Sequence, residues 1–281
     1  MPPVRIVTDS ACDLPPEESA RLGITVVPLV VVFGTDQHAD LSLTPEEFWA
    51  KAAQAHPQTS QPSPGSFEKA FRSLVEAGHD VLCITITGKH SGTYNSARTA
   101  AAAFPEQRVA VWDSLSLSWG QGFQVRKAAQ MAHAGASISD ILQRLPDIQQ
   151  RVRVFILLDT MDFIERGGRA AALMPVVKRV AKAFRIKPIL TMVEGELSLC
   201  SAVRSTAKGV QKLLAEATAL PVEMASVLHV RNAQEAQHLA QALAEVAGLP
   251  LAEVGIAETG AALSTHGGPG VVAFAALTRA A

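Results

Sequence analysis

Apolar positions along the first half of the chain fall into short runs rich in β-branched residues, separated by stretches in which apolar residues recur at helical spacing. The runs VRIVTDS (4–10), ITVVPLVVVF (24–33), VLCITIT (81–87) and RVAVWDS (108–114) predict strands. Between them, PEESARLG predicts a short helix closed by Gly23, and TPEEFWAKAAQAH a helix with Thr44 as N-cap before Pro45. SPGSFEKAFRSLVEAG, SGTYNSARTAAAAF and GQGFQVRKAAQMAHAG predict three more, the first capped by Ser63. Strand and helix alternate, which is the pattern of a parallel sheet with crossover helices.

Near residue 150 the pattern changes. RVRVFILLDTMDFIERGG reads as a strand and a short helix stopped by Gly167-Gly168, and ALMPVVKRVAKAF as a second helix. IKPILTMVEGELSLCSAV predicts an antiparallel hairpin turning at Glu194-Gly195. VRSTAKGVQKLLAEAT predicts a helix, MASVLHV a strand, AQEAQHLAQALAEVAG a helix, and residues 252–277 a last strand pair joined by a polar, glycine-rich connection. The expected architecture is α/β in two lobes: an N-terminal lobe, 1–152, with a mostly parallel sheet and flanking helices, and a C-terminal mixed α/β lobe, 153–281.

Composition narrows the function classes. At 281 residues, 48% hydrophobic and 18% charged, the chain buries a large core and is not disordered. The formal net charge of −1 gives no global attraction to nucleic acid or to acidic membranes. The apolar run Ile24–Phe33 is too short to span a bilayer, and the start MPPVRIVTDS has no signal-peptide pattern, so a cytoplasmic location is expected. Cys12, Cys83 and Cys200 are scattered without a CxxC, and the eight histidines form no HxH or HxxxH pair, so neither a disulfide framework, a metal nor a cofactor is expected.

Three strand candidates end in polar residues: Thr8-Asp9-Ser10, Thr85-Ile86-Thr87 and Trp112-Asp113-Ser114. In an open parallel sheet such ends share one edge, where ligands bind. Ser91 follows the second of these strands in a Gly-x-x-Ser-Gly-Thr turn (88–93) that opens a helix, with Gly92 and Thr93 beside it. A helix N-terminus favours a small anion, and Ser91 as N-cap would offer its hydroxyl to an oxyanion. The adjacent His90 raises the alternative of a serine esterase or acyl hydrolase, but the G-x-S-x-G elbow is absent. Thr59 and Ser60 stand in a proline-bounded loop, HPQTSQPSPGSF, expected on the same edge, and His266 stands among the glycines of STHGGPG. From Arg166 to Lys187 there are seven basic residues and no acidic one, a local positive field suited to an acidic partner.

Taken in order, IVTDSACDLP (6–15), GITVVPL (23–29), TSQPSPGSF (59–67), SGTYNSA (91–97), VWDSLS (111–116), LDTMDFIERGGR (158–169), IKPILTMVEGEL (186–197) and THGGPG (265–270) resemble the DegV family of bacterial fatty-acid-binding proteins along nearly the whole chain. The resemblance implies one long-chain fatty acid buried between two lobes, with its carboxylate on Thr59 and Ser91. It implies His266 near the head group, and Ser60, Gly92, Thr93 and Arg169 as secondary positions. It further implies a non-enzymatic carrier that presents the fatty acid to a separate fatty acid kinase, which forms an acyl phosphate for phospholipid synthesis. The sequence departs from the family pattern at His90, commonly apolar, and at Gly267, where THTGPG is common.

Overall fold

The computed structural model describes residues 2–168, 186–219 and 221–280. The chain divides into two compact units: Met1–Gln150 with Gly260–Ala262, and Arg151–Thr259 with Leu263–Ala281.

In the first unit, strands β1 (Val4–Asp9), β2 (Thr25–Val27), β6 (Asp80–Thr85) and β7 (Val109–Asp113) form an all-parallel sheet in the order β2-β1-β6-β7. The expected single strand 24–33 is two. Pro28 has no N–H to donate to a ladder, so pairing breaks there. The chain resumes as β3 (Val30–Phe33), which builds a separate antiparallel sheet with β4 (Asp36–Ala39) and β5 (Gln58–Ser60), in the order β4-β3-β5. Thr59 therefore lies opposite Val31 on a strand, not in the loop the prolines suggested.

Helices Pro16–Arg21, Pro45–Ala52 and Pro64–Glu76 stand where expected, with Thr44 completing a capping box with Glu47 and Ser63 capping through Ser66 N–H. A further helix, Ile138–Arg151, buries Ile141, Leu145 and Ile148 at helical spacing, and Ser137 and Asp140 bond reciprocally at its start. The core of this unit gathers Val7, Phe67, Phe71, Val81, Cys83 and Ala97 between the parallel sheet and the helices 64–76 and 93–101.

In the second unit, β8 (Val152–Leu157), β9 (Lys187–Val193), β10 (Glu196–Val203), β11 (Val222–His229), β12 (Gly255–Glu258) and β13 (Val272–Thr278) form a mixed sheet in the order β10-β9-β8-β13-β11-β12. The β9–β10 hairpin turns at Glu194 and Gly195, both at positive φ, as a tight hairpin requires. The last two strands do not pair with each other. β12 lies parallel to β11 on the sheet edge, while β13 runs antiparallel between β8 and β11 with all seven of its residues buried. Helices Thr206–Thr218 and Ala233–Ala247 cover this sheet through Leu213, Ala217, Leu239 and Leu243. Gly209 lets the first of them approach β8 closely, since a Cβ at 209 would lie 2.6 Å from Leu157 Cδ1.

Candidate functional site

The polar strand ends of the first unit are present, but they are spent on building its loops. Asp9, fully buried, accepts from Ala11 N–H at 3.0 Å and Ile86 N–H at 2.7 Å. Thr8 donates to the Ile84 carbonyl at 2.8 Å and accepts from Gln121 Nε2 at 2.9 Å. Asp113 accepts from Leu115 N–H at 2.9 Å and from Gly88 N–H, 3.0 Å from Oδ2. This last bond sets the start of the turn leading to Ser91. Lys89 N–H on Thr87 Oγ1 at 3.3 Å holds the next residue.

Two more carboxyl groups stand near Asp9. Asp40 accepts from Ser10 Oγ at 2.6 Å and from Ala262 N–H at 2.7 Å, and Asp13 accepts from Gly260 N–H at 2.9 Å and from Ser118 Oγ. These bonds fasten residues 260–262 to the first unit, although more than two hundred residues separate them from their partners. Burial, more than the neighbouring carboxylates, pushes Asp9 up to about 6 and Asp13 to about 7, and raises Asp40 as well. Among the described residues, no group of three or more His, Cys, Asp or Glu is placed to hold a metal ion.

Past Asp113's anchor, Ser91 Oγ lies 2.8 Å from Thr93 Oγ1 and accepts from Thr93 N–H at 3.3 Å. The N-cap of the helix Thr93–Ala101 is Gly92, not Ser91; the serine stands one residue earlier and reaches the first helical N–H from there. The consequence is a pair of hydroxyls at the positive end of a helix, with Ser91 half-buried and Thr93 fully buried beneath it. Since both partners of Ser91 Oγ belong to Thr93, the hydroxyl is bonded, among the described residues, to no base that would activate it, and the esterase alternative finds no support. Thr59 is half-buried and Ser60 exposed on β5. The next residue, Gln61, lays its carboxamide against Gly92: a Cβ on that glycine would lie 2.9 Å from both Cδ and Nε2. The Thr59 strand and the Ser91 turn are thus neighbours, and Gln61, inside the TSQPSPGSF motif, is not singled out by turn or charge chemistry in the sequence.

In the second unit, His266 lies in the last turn of a helix, Ala261–Gly267, where the sequence pattern predicts a glycine-rich connection between strands. The glycines around it make room for the 158–168 segment. A Cβ on Gly167 would overlap His266 Nδ1, one on Gly268 would overlap the Phe163 ring, and one on Gly270 would lie 2.7 Å from Asp159 Cβ. Gly268 and Gly270 also take positive φ, 73° and 86°. Gly267 needs no such freedom, and a Cβ there would meet only Val271 at 3.3 Å and Val230 at 3.9 Å. Arg169 and most of the basic run lie outside the described residues; of that run, Arg166 is exposed and Lys187 is paired with Asp159.

Comparison with known proteins gives one consistent answer. The family model described as "Uncharacterised protein, DegV family" matches residues 3–279. A DegV domain-containing protein of Deinococcus radiodurans is 34% identical over 278 residues, covering 97% of each chain. A DegV family protein from Thermus thermophilus, whose structure is described as fatty acid binding, superposes with a TM-score of 0.88 at 33% identity, covering 98% of this chain and 99% of that one. A stearic acid-binding protein from Eubacterium ventriosum superposes with a TM-score of 0.87 at 25% identity, over 99% and 98% of the two chains.

Proposed function

The chain belongs to the DegV family, and from that premise we propose that it binds a single long-chain fatty acid and presents the carboxylate to a separate fatty acid kinase for acyl phosphate formation in phospholipid synthesis. Thr59 and Ser91 hold the carboxylate, His266 assists, and Ser60, Gly92, Thr93 and Arg169 are secondary. The basic 166–187 segment docks the kinase. The protein is a carrier and carries out no chemistry of its own.

The observation that carries this reading is the whole-chain likeness to the fatty-acid-binding structure from Thermus thermophilus. The site's chemistry supports it. Neutral hydroxyls at a helix N-terminus suit a small anion, and Ser91 lacks the partner that a nucleophile needs. Affinity would come from the tail: roughly sixteen methylenes at about 0.8 kcal/mol each leave a large surplus after the costs of ordering. The head-group contacts then need only fix register.

Native mass spectrometry of the purified protein tests the proposal. The expected result is a mass increment of one long-chain fatty acid, lost on delipidation and regained on adding the acid. A stable protein that is isolated empty and takes up no fatty acid would overturn it.

A further inference from the structure

Gly92 has φ −72° and ψ 0°, a backbone conformation that any residue adopts, so its identity is not set by the turn. What it leaves is room. A Cβ there would lie 2.9 Å from Gln61 Cδ and Nε2, closer than real Cβ contacts come, so any side chain at 92 would make the carboxamide move. The carboxamide of Gln61 therefore rests against the residue between Ser91 and Thr93.

That carboxamide is uncommitted. Among the described residues Gln61 accepts a bond from Ser60 Oγ at 3.4 Å, but on its backbone carbonyl, and its side-chain amide makes none. On either side of Gly92 the hydroxyls are engaged, Ser91 and Thr93 bonding each other. A side chain with two N–H donors, exposed and two residues after Thr59, is thus held beside the hydroxyl pair with nothing to donate to.

We propose that Gln61 is a further head-group residue, its amide Nε2 donating to the fatty-acid carboxylate held by Thr59 and Ser91. The inference rests on the fatty-acid reading above and deepens it. An amide supplies donors without charge and does not titrate, so its contribution is independent of pH. Gly92 contributes by leaving the amide its place.

The test is displacement of a fluorescent fatty acid from the delipidated full-length protein by stearate, with octadecanol as the uncharged competitor. Gln61 is exposed, so its substitution leaves the fold intact. Gln61→Ala should weaken stearate by roughly three- to tenfold, the loss expected for one hydrogen bond made by an exposed side chain. Gln61→Glu should weaken stearate further, through like charge, while octadecanol binds Gln61→Glu and Gln61→Ala alike. Gly92→Ala should weaken stearate in the wild-type background and change nothing in the Gln61→Ala background, because its effect passes through the displaced amide. Stearate affinity unchanged in Gln61→Ala and Gln61→Glu, with Ser91→Ala still weakened, overturns the role of Gln61 and leaves the fatty-acid reading standing. Failure of the wild type to bind stearate at all overturns both.

Discussion

Asp13 offers the sharpest test of the physical picture, because its isosteric substitution keeps every contact while removing the charge. The carboxyl accepts from Gly260 N–H on Oδ1 and from Ser118 Oγ on Oδ2. In Asp13→Asn, Oδ1 still accepts from Gly260 N–H, and the new amide donates to Ser118 Oγ. Asp13 also sits at φ 50°, a left-handed conformation that Asn tolerates well. Burial raises its pKa from 3.8 to about 7 in the native state. The native protein therefore binds more protons than the unfolded chain between about pH 4 and pH 7, so this group's contribution is fully present below pH 4 and is lost as pH rises through 7. At 1.36 kcal/mol for each pKa unit, the wild type loses about 2–3 kcal/mol between pH 5 and pH 8 through Asp13 alone, an upper bound because the residue keeps some exposure. Asp13→Asn should lack that loss, and so be more stable than the wild type at pH 8 by about 1–3 kcal/mol once the weaker neutral hydrogen bonds are allowed for. Asp9 and Asp40, raised in the same sense, leave a residual slope. Urea unfolding at pH 5 and pH 8 measures the difference, and Trp49, Trp112 and Trp119, all in the first unit, report it by fluorescence. Parallel pH profiles of the two proteins would refute the argument.

Other positions follow from the same contacts. Gly167→Ala places a methyl on His266 Nδ1 and should lower fatty-acid affinity as much as His266→Ala does, with no further loss in the double variant; additive losses in a binding titration would separate the two residues. Gly209→Ala drives a methyl into Leu157 and should destabilise the second unit by about 1–3 kcal/mol, read by thermal denaturation; an unchanged midpoint would show that the helix slides freely on β8. Lys178→Glu should impair acyl phosphate formation with the kinase present while leaving fatty-acid binding intact, and equal turnover would remove the basic segment from the docking surface.

How far the sequence carried the fold depended on whether each signal was local. The N-caps Thr44 and Ser63 and the turns at Gly23 and Glu194-Gly195 act within a few residues, and they stand where the pattern put them. The run 24–33 misled because its hydrophobicity is continuous, while the break depends on one missing N–H at Pro28 and on the later strands β4 and β5 that draw β3 away. Pairing of the last strands failed for the same reason, since adjacency in sequence did not predict that β11 would lie between β12 and β13. Of the proposed head-group residues, Thr59, Ser91 and His266 follow from motif and turn chemistry. Gln61 does not, because its place against Gly92 is a contact across thirty residues of chain that neither segment announces. The fastening of Gly260 and Ala262 by Asp13 and Asp40 was illegible on the same grounds.

The first unit divides its polar residues between two tasks, and the division bears on what a carrier needs. Its acids at the loops, Asp9 and Asp40 buried and Asp13 and Asp113 partly so, each accept backbone N–H groups and so serve to fix those loops. The groups left at the helix N-terminus, Ser91, Thr93 and the Gln61 amide, are neutral donors. A bidentate arginine clamp in place of these groups would bind a carboxylate more strongly, but under the proposed function it would also draw electron density from the oxygen that attacks a phosphoryl group, which fits Arg169 as a secondary position only. Hydroxyl and amide donors orient the carboxylate with a smaller loss of nucleophilicity. If the tail supplies most of the affinity, weak neutral head-group contacts are what a protein that hands its ligand's carboxylate to a kinase should have, and a strongly cationic grip would work against the transfer.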